Sequence, residues 1–365
     1  MVINTAPFDL TSQRQIIRAQ RPSSGAKHDR LGTRDTQINS FSSTAAALRE
    51  ARCQAHSKTP VNPFILRYGD FEKKQASRKD FDHSLPVEVS KTPNPLWKYG
   101  QGVNDKNVLN LQHVEIDPSQ AGRKMVSNYR LLVSGIPRPI SFVSTVSTEG
   151  KANLAPFSYF QVVDHDPPIV VIGFSARQGR PKDTRKNLVD TGECVISVVS
   201  EHMVEAVNGS SLDVPYGISE WGMSGFKSAL STTVKPHRVK DAIFSMEGKL
   251  LEMKELNYGE DNDGKQHGAL AIIQATRFWV REDALNEAKD EVDLSKLRPL
   301  VQLGGISYAR VRETFELPRP GLQAELEDES RGLRPFLEAK VQQRTGSDSP
   351  GLPHEEAAEP AKAIV

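Results

Sequence analysis

Hydrophobic residues are concentrated in the middle of the chain, in short runs separated by polar turns. The runs are rich in Val, Ile, Phe and Thr and are mostly bounded by Gly, Pro or Asp, which is the pattern of β-strands. Strands are predicted at residues 139–147, 168–175, 194–200, 244–256 and 268–280. The sequence Thr148-Glu149-Gly150-Lys151 predicts a hairpin turn, because Gly adopts the positive φ that such turns need.

Helical segments are fewer and shorter, at residues 181–190, 201–208 and 292–300. Many strands with few helices between them favour a mainly antiparallel barrel or sandwich with helical insertions over a doubly wound α/β sheet. We therefore expect one mainly β domain that covers residues 95–315.

The two ends of the chain differ from this middle region. The first sixty residues have little hydrophobic periodicity and contain nine Lys or Arg against four Asp or Glu. Such a segment is typical of a disordered arm, and a mitochondrial transit peptide is the alternative. We expect a largely disordered N-terminal arm over residues 1–94 and a disordered polar tail over residues 316–365.

Composition narrows the class of protein. The 47 Lys and Arg balance 46 Asp and Glu, for a net charge of +1, and nucleic-acid binders usually carry a basic surplus. No run approaches the ~20 apolar residues of a membrane span. Two cysteines, Cys53 and Cys194, do not make a disulfide scaffold and fit a reducing compartment. We expect a cytoplasmic protein with a small-molecule ligand, and neither nucleic acid nor membrane as a partner.

The sequence motifs of several enzyme classes are missing. There is no GxGxxG after a strand, no phosphate-binding GxxxxGK[ST] and no HExxH, and no histidine lies at metal-ligand spacing from another His or Cys. We predict no metal site and no catalytic side chain. Any chemistry would then come from an organic cofactor.

Unusual residues cluster between positions 137 and 187. Arg138 lies between two prolines at a strand start, and Pro156 interrupts a strand-like run. A proline there leaves neighbouring backbone groups without partners, and these could bind a flat heteroaromatic ring; a simple β-bulge is the alternative.

A helix is predicted to begin after Pro181, within a stretch that has five cations and one acid. The cations are Arg177, Arg180, Lys182, Arg185 and Lys186. Cations near a helix N-terminus destabilise the helix, because they lie at the positive end of its dipole, unless an anion binds there. Lys182 and the Thr184 hydroxyl therefore predict a phosphate site, with capping by Asp183 or Thr184 as the alternative. A phosphate at one end and a flat ring at the other indicate FMN.

These motifs resemble the flavin reductase-like family of FMN-binding split barrels, which includes flavoredoxin and the flavin-reductase components of two-component monooxygenases. The segments that carry the resemblance are Pro137-Arg138-Pro139-Ile140, Asn153-Leu154-Ala155-Pro156-Phe157-Ser158, Asp166-Pro167-Pro168, Lys182-Asp183-Thr184, Ser219-Glu220-Trp221 and Leu303-Gly304-Gly305-Ile306-Ser307-Tyr308. The resemblance implies a six-stranded antiparallel split barrel that forms a homodimer, with FMN in a groove at or near the dimer interface.

The resemblance also implies roles for individual residues. Asn153 and the backbone of Leu154 and Ala155 would flank the flavin ring, with Thr145 and Ser158 nearby. The ribityl chain and phosphate would contact Ser175, Lys182, Asp183 and Thr184, and Arg138 would be a further contact. Glu220 would either line the substrate side of the flavin or cap a helix.

The function that follows is NAD(P)H-dependent reduction of flavin, with hydride passing from the nicotinamide to FMN. Gln302 stands where many relatives have an Arg before Leu-Gly-Gly. If that Arg contacts flavin or NAD(P)H in relatives, its replacement argues against the use of a nicotinamide here. A non-catalytic flavin-binding or partner-binding module and a split-barrel oxidase of a small organic substrate are the alternatives.

Overall fold

The structure is a computed structural model, and it describes residues 70–176, 181–216, 218–256 and 267–338. The first sixty residues, most of the predicted tail and the cations Arg177 and Arg180 lie outside these ranges. None of the helices described is long and apolar enough to cross a membrane.

Strands make up most of the regular structure in the described ranges. They are β1 (Glu88–Ser90), β2 (Arg138–Pro139), β3 (Ser141–Val146), β4 (Ala152–Phe157), β5 (Phe160–His165), β6 (Pro168–Phe174), β7 (Glu193–Val198), β8 (Ser228–Ala229), β9 (Arg238–Val239), β10 (Phe244–Leu256), β11 (Gly268–Val280), β12 (Leu300–Leu303), β13 (Ser307–Arg310) and β14 (Glu313–Phe315). The mainly β composition predicted from the sequence is confirmed.

The helices are short. They are α1 (Phe71–Ala76), α2 (Met125–Gly135), α3 (Asp183–Thr191), α4 (Val204–Gly209), α5 (Glu220–Ser224), α6 (Leu294–Leu297) and α7 (Leu322–Glu327), with 3₁₀ turns at Lys106–Asn110, Glu201–Met203, Glu282–Ala284 and Glu329–Arg331. The three predicted helices correspond to α3, to the 3₁₀ turn with α4, and to α6.

The main sheet of the described region has seven strands in the order β4-β3-β7-β10-β11-β6-β5, and all its pairs are antiparallel. Its two edge strands, β4 and β5, are separated in the chain only by Ser158 and Tyr159. So short a link spans about 10 Å, and the end of β4 and the start of β5 must therefore lie close together. The sheet curls into a barrel whose seam is the link from β4 to β5.

Two hydrophobic cores cover the two faces of β3. Val143 packs inside the barrel, whereas Phe142 packs outside it with Leu154 of β4 and with Met203 and Val207 near α4. Because both faces are covered, β3 is a nearly continuous buried run instead of an alternating one. The predicted turn after it is present, with Gly150 at φ 80°.

The predicted interruption at Pro156 is wrong, because β4 pairs with β3 in unbroken register through this residue. The N–H of Leu154 points away from β3, toward Glu220. Pro156 lies two residues further along and has the same orientation. Its missing N–H therefore falls on the outer edge of β4, where no described strand pairs, and the ladder is intact.

A short strand lies inside the segment that the sequence assigns to the N-terminal arm. β1 pairs in parallel with β14, and the guanidinium groups of Arg298 and Arg310 donate to the carbonyl oxygens of Leu85 (3.3 Å) and Asp82 (2.7 Å). The sequence did not predict this strand, because all three residues of β1 are exposed and have no hydrophobic face to signal it.

Candidate functional site

A small groove lies beside β4, between the start of α3, the start of α5 and residues 210–214. Its volume is about 50 Å³. Predicted site residues on its wall are Asn153, Ala155, Lys182, Asp183 and Thr184. The structure thus brings half of the predicted site residues to one groove.

Helix α3 begins at this groove without a cap from the side chain of its N-cap residue, Lys182. Lys has no hydrogen-bond acceptor, so it cannot cap the first amides as Ser or Asp would. The Lys182 ammonium lies 5.9 Å from the centre of the Phe157 ring, at the outer limit of a cation–π contact. The start of α3 therefore presents positive charge to the groove.

The other described cations of the predicted cluster are paired elsewhere. Arg185 is buried and forms a salt bridge with Glu255, and its Nη1 donates to the carbonyl oxygen of His267 (2.9 Å). Lys186 is exposed and pairs with Asp190 (2.5 Å). Of the three described cations in this stretch, these two therefore have acidic partners other than an anion in the groove.

A buried polar network lies beneath the groove. The side-chain amide of Asn153 donates to the hydroxyls of Thr184 (2.9 Å) and Thr145 (3.1 Å), and that of Asn187 donates to Thr145 (3.0 Å). Both amide hydrogens of Asn153 are therefore used inside the protein. The Thr184 hydroxyl accepts from Asn153, so its own proton can be donated. The fully buried Thr145 links β3 to β4 and α3 and is not part of the groove wall.

Arg138 and Ser158 lie apart from the groove. The buried Arg138 guanidinium donates to Ser158 Oγ (3.2 Å) and to the carbonyl oxygens of Val133 (2.6 Å) and Gly304 (3.2 Å). It thereby joins α2, the barrel seam and the turn between β12 and β13. These contacts give Arg138 a structural role, and its predicted contact with the cofactor stays a prediction.

Ser175 is exposed at the end of β6 and does not belong to the groove wall. It lies near Tyr159 of the seam, where burial raises the pKa of Tyr159 and a hydrogen bond with Ser175 opposes this effect. The predicted site residues therefore divide into a groove group and a seam group that includes Ser158 and Ser175.

Glu220, the first residue of α5, is the groove residue whose role the sequence left open. Its side chain is 4% exposed, and its Oε2 accepts a hydrogen bond from the backbone N–H of Leu154 (3.0 Å). Burial raises the pKa of Glu220, and the nearby Asp183 raises it further, while the Leu154 bond and Lys182 act in the opposite direction. The Leu154 side chain itself is buried in the outer core, so only its backbone lies at the site.

A family model described as the flavin reductase like domain matches residues 133–302, from the end of α2 into β12. An uncharacterised protein of Halalkalibacterium halodurans is 34% identical over 209 residues, which are 57% of this chain and 97% of that protein. The chain belongs to the flavin reductase-like family. The match includes the main sheet and all of the residues that line the groove.

Further similarity supports this assignment. The uncharacterised protein YwrF of Bacillus subtilis is 34% identical over 204 residues, 55% of this chain and 98% of that protein. The crystal structure of nitrilotriacetate monooxygenase component B from Bacillus cereus is 31% identical, with a TM-score of 0.53, and the match covers 57% of this chain and all of that one. The family places this chain among flavin-related oxidoreductases with a split-barrel fold.

Proposed function

We propose that this protein is an NAD(P)H-dependent flavin reductase that binds FMN. The phosphate would lie in the groove beside Lys182, and the ring along the outer edge of β4. The observation that carries the proposal is the start of α3, where Lys182, which cannot cap the helix with its side chain, lines the groove.

The groove offers donors for the phosphate end of FMN, against the negative charge of Asp183, Asp213 and Glu220 on the same wall. A phosphate needs hydrogen-bond donors, and the Lys182 ammonium, the first amides of α3 and the Thr184 hydroxyl can serve as such. The volume of about 50 Å³ is far below the ~300 Å³ or more of pockets that enclose a drug-sized ligand. The flavin ring would therefore lie outside the groove.

The outer edge of β4 suits the ring. In an antiparallel strand, the N–H and C=O of one residue point to the same side. The Leu154 N–H and the C=O groups of Leu154 and Pro156 therefore face outward, where they offer the donors and acceptors that a polar ring edge requires. Bound FMN would supply the redox chemistry by accepting hydride, so the protein needs no acid or base of its own.

A homodimer is part of the proposal. In this proposal a second copy supplies an outer wall for the ring position. Edge strand β5 exposes Val162 and Val163, each 61% exposed, which fits an apolar surface covered by a partner. The proposed partners are thus a second copy of the chain, FMN and NAD(P)H, in the cytoplasm.

The first test is the absorption spectrum of the purified protein, followed by NADH and NADPH oxidation with added FMN. We expect a yellow or FMN-reconstitutable protein that oxidises at least one nicotinamide. A yellow protein with no nicotinamide turnover would favour a flavin-binding module. A protein that binds neither FMN nor riboflavin would refute the proposal.

A further inference from the structure

A buried carboxylate occupies a backbone donor at the edge of β4. Glu220 is on α5, yet its Oε2 bonds the N–H of Leu154 at 3.0 Å, and its side chain is almost fully buried. Hydrogen bonds to an ionised acceptor are roughly twice as strong as neutral ones. In the absence of ligand, Glu220 thus holds the outward N–H that the proposed ring position requires.

The charges around Glu220 are mixed. From α3, Asp183 and Lys182 face it, and from the preceding loop Asp213 lines the same groove. β4 packs against α5 and contributes no charged residue within Ala152–Phe157. Glu220 therefore adds a negative charge to a groove wall that already has two carboxylates and one described ammonium, which disfavours a phosphate.

We propose that Glu220 determines flavin affinity and specificity by competing with the ring for the Leu154 N–H and by placing negative charge beside the phosphate position. The inference rests on the proposed function. It implies that FMN is exchanged instead of held permanently, because each binding event has to displace an existing charge-assisted bond. The competition affects FMN and riboflavin alike, whereas the charge affects FMN alone.

This difference separates the two effects in a binding experiment. Glu220→Gln keeps the shape but removes the charge and weakens the bond, so we expect about threefold tighter riboflavin and about tenfold tighter FMN. Glu220→Asp keeps the charge but shortens the side chain by one methylene, which withdraws it from Leu154. This variant should bind riboflavin more tightly, with a smaller gain for FMN than Glu220→Gln gives.

Dissociation constants are measured by quenching of flavin fluorescence between pH 4 and 8, because burial raises the pKa of Glu220 above its ordinary value. Protonation of Glu220 weakens its bond and removes its charge, so the wild-type protein should bind riboflavin more tightly as the pH falls, and Glu220→Gln should not change. Because riboflavin has no phosphate, a pH effect on its binding cannot come from titration of the FMN phosphate. Glu205→Gln, an exposed glutamate on α4, is the matched control and should behave as wild type.

Two results would overturn the inference while leaving the proposed function intact. One is equal affinity and equal pH dependence of wild type and Glu220→Gln for both flavins. The other is weaker binding by Glu220→Gln, which would make the carboxylate a direct ligand contact instead of a competitor. Absence of any flavin binding by both wild type and Glu205→Gln would refute the proposed function itself. The wild-type pH series needs no variant and tests the inference even if a substitution impairs folding.

Discussion

Removal of the Lys182 ammonium gives the sharpest test of the phosphate position. Arg185 and Lys186 are engaged by Glu255 and Asp190, so neither described cation can replace it. A charge-assisted contact contributes ~1.5–3 kcal/mol, which is roughly a ten- to hundredfold change in affinity. We expect Lys182→Ala to weaken FMN by this factor and riboflavin by less than about threefold, because riboflavin lacks the phosphate.

The assay is titration of both flavins by fluorescence quenching at low salt and at ~1 M salt, where the Debye length falls to about 3 Å. The difference between wild type and Lys182→Ala for FMN should shrink at high salt. Loss of the cation–π contact with Phe157 costs less than about 1 kcal/mol, so the variant should remain folded. Lys186→Ala, on the same helix but paired away from the groove, is the control. Equal losses for FMN and riboflavin would show that the phosphate does not bind beside Lys182.

Three further predictions concern the scaffold. Arg138→Ala leaves buried carbonyl oxygens without donors, so it should lower the free energy of unfolding, measured in urea, by about 3 kcal/mol. The exposed Arg130→Ala is the control and should not lower it. A stable Arg138→Ala variant that loses flavin would instead make Arg138 a ligand contact. Burial alone would raise the pKa of Glu247, yet hydrogen bonds from Thr233, Thr232 and Trp279 lower it to about 2. The stability that the Glu247 carboxylate contributes is therefore present above its ordinary pKa and is lost as the pH falls toward 2. The melting temperatures of wild type and Glu247→Gln should accordingly converge in acid. A difference between them that stays constant with pH would contradict this prediction. Deletion of residues 1–79 should keep the contacts of Arg298 and Arg310 with the chain before β1, whereas deletion of residues 1–90 removes these contacts together with β1. The longer deletion should therefore lower the free energy of unfolding, measured in urea, by about 2 kcal/mol more than the shorter one. Equal stability of the two variants would show that this segment does not support the barrel.

The sequence predicts the long strands well because their hydrophobic content is local information. β10 and β11 have the bounds that the pattern predicts, and the helix start at the groove is one or two residues from its predicted place. β1 could not be found in this way, since its stability depends on pairing with β14, more than two hundred residues away, and not on its own side chains.

The candidate site was predictable only in part, and the reason is physical. Charge composition pointed to the start of α3, which lines the groove, but it could not tell which cations find partners on distant strands, as Arg185 does with Glu255 on β10. Asn153 was chosen for its motif, and the fold uses both of its amide hydrogens internally. Glu220 was ambiguous because its partner is a backbone amide, and a backbone amide has no sequence signature.

The edge of β4 needs protection whether or not a ligand binds there. An unpaired strand edge offers N–H and C=O groups to any passing strand. Here Pro156 removes one outward N–H, and Glu220 on α5 occupies another at Leu154. Both devices block strand addition, which needs regularly spaced donors. A small ring needs only one donor and nearby carbonyl oxygens, and Glu220 would have to release the Leu154 N–H to it. We therefore expect that the same two residues that keep this edge from pairing with another strand restrict it to a small polar ligand.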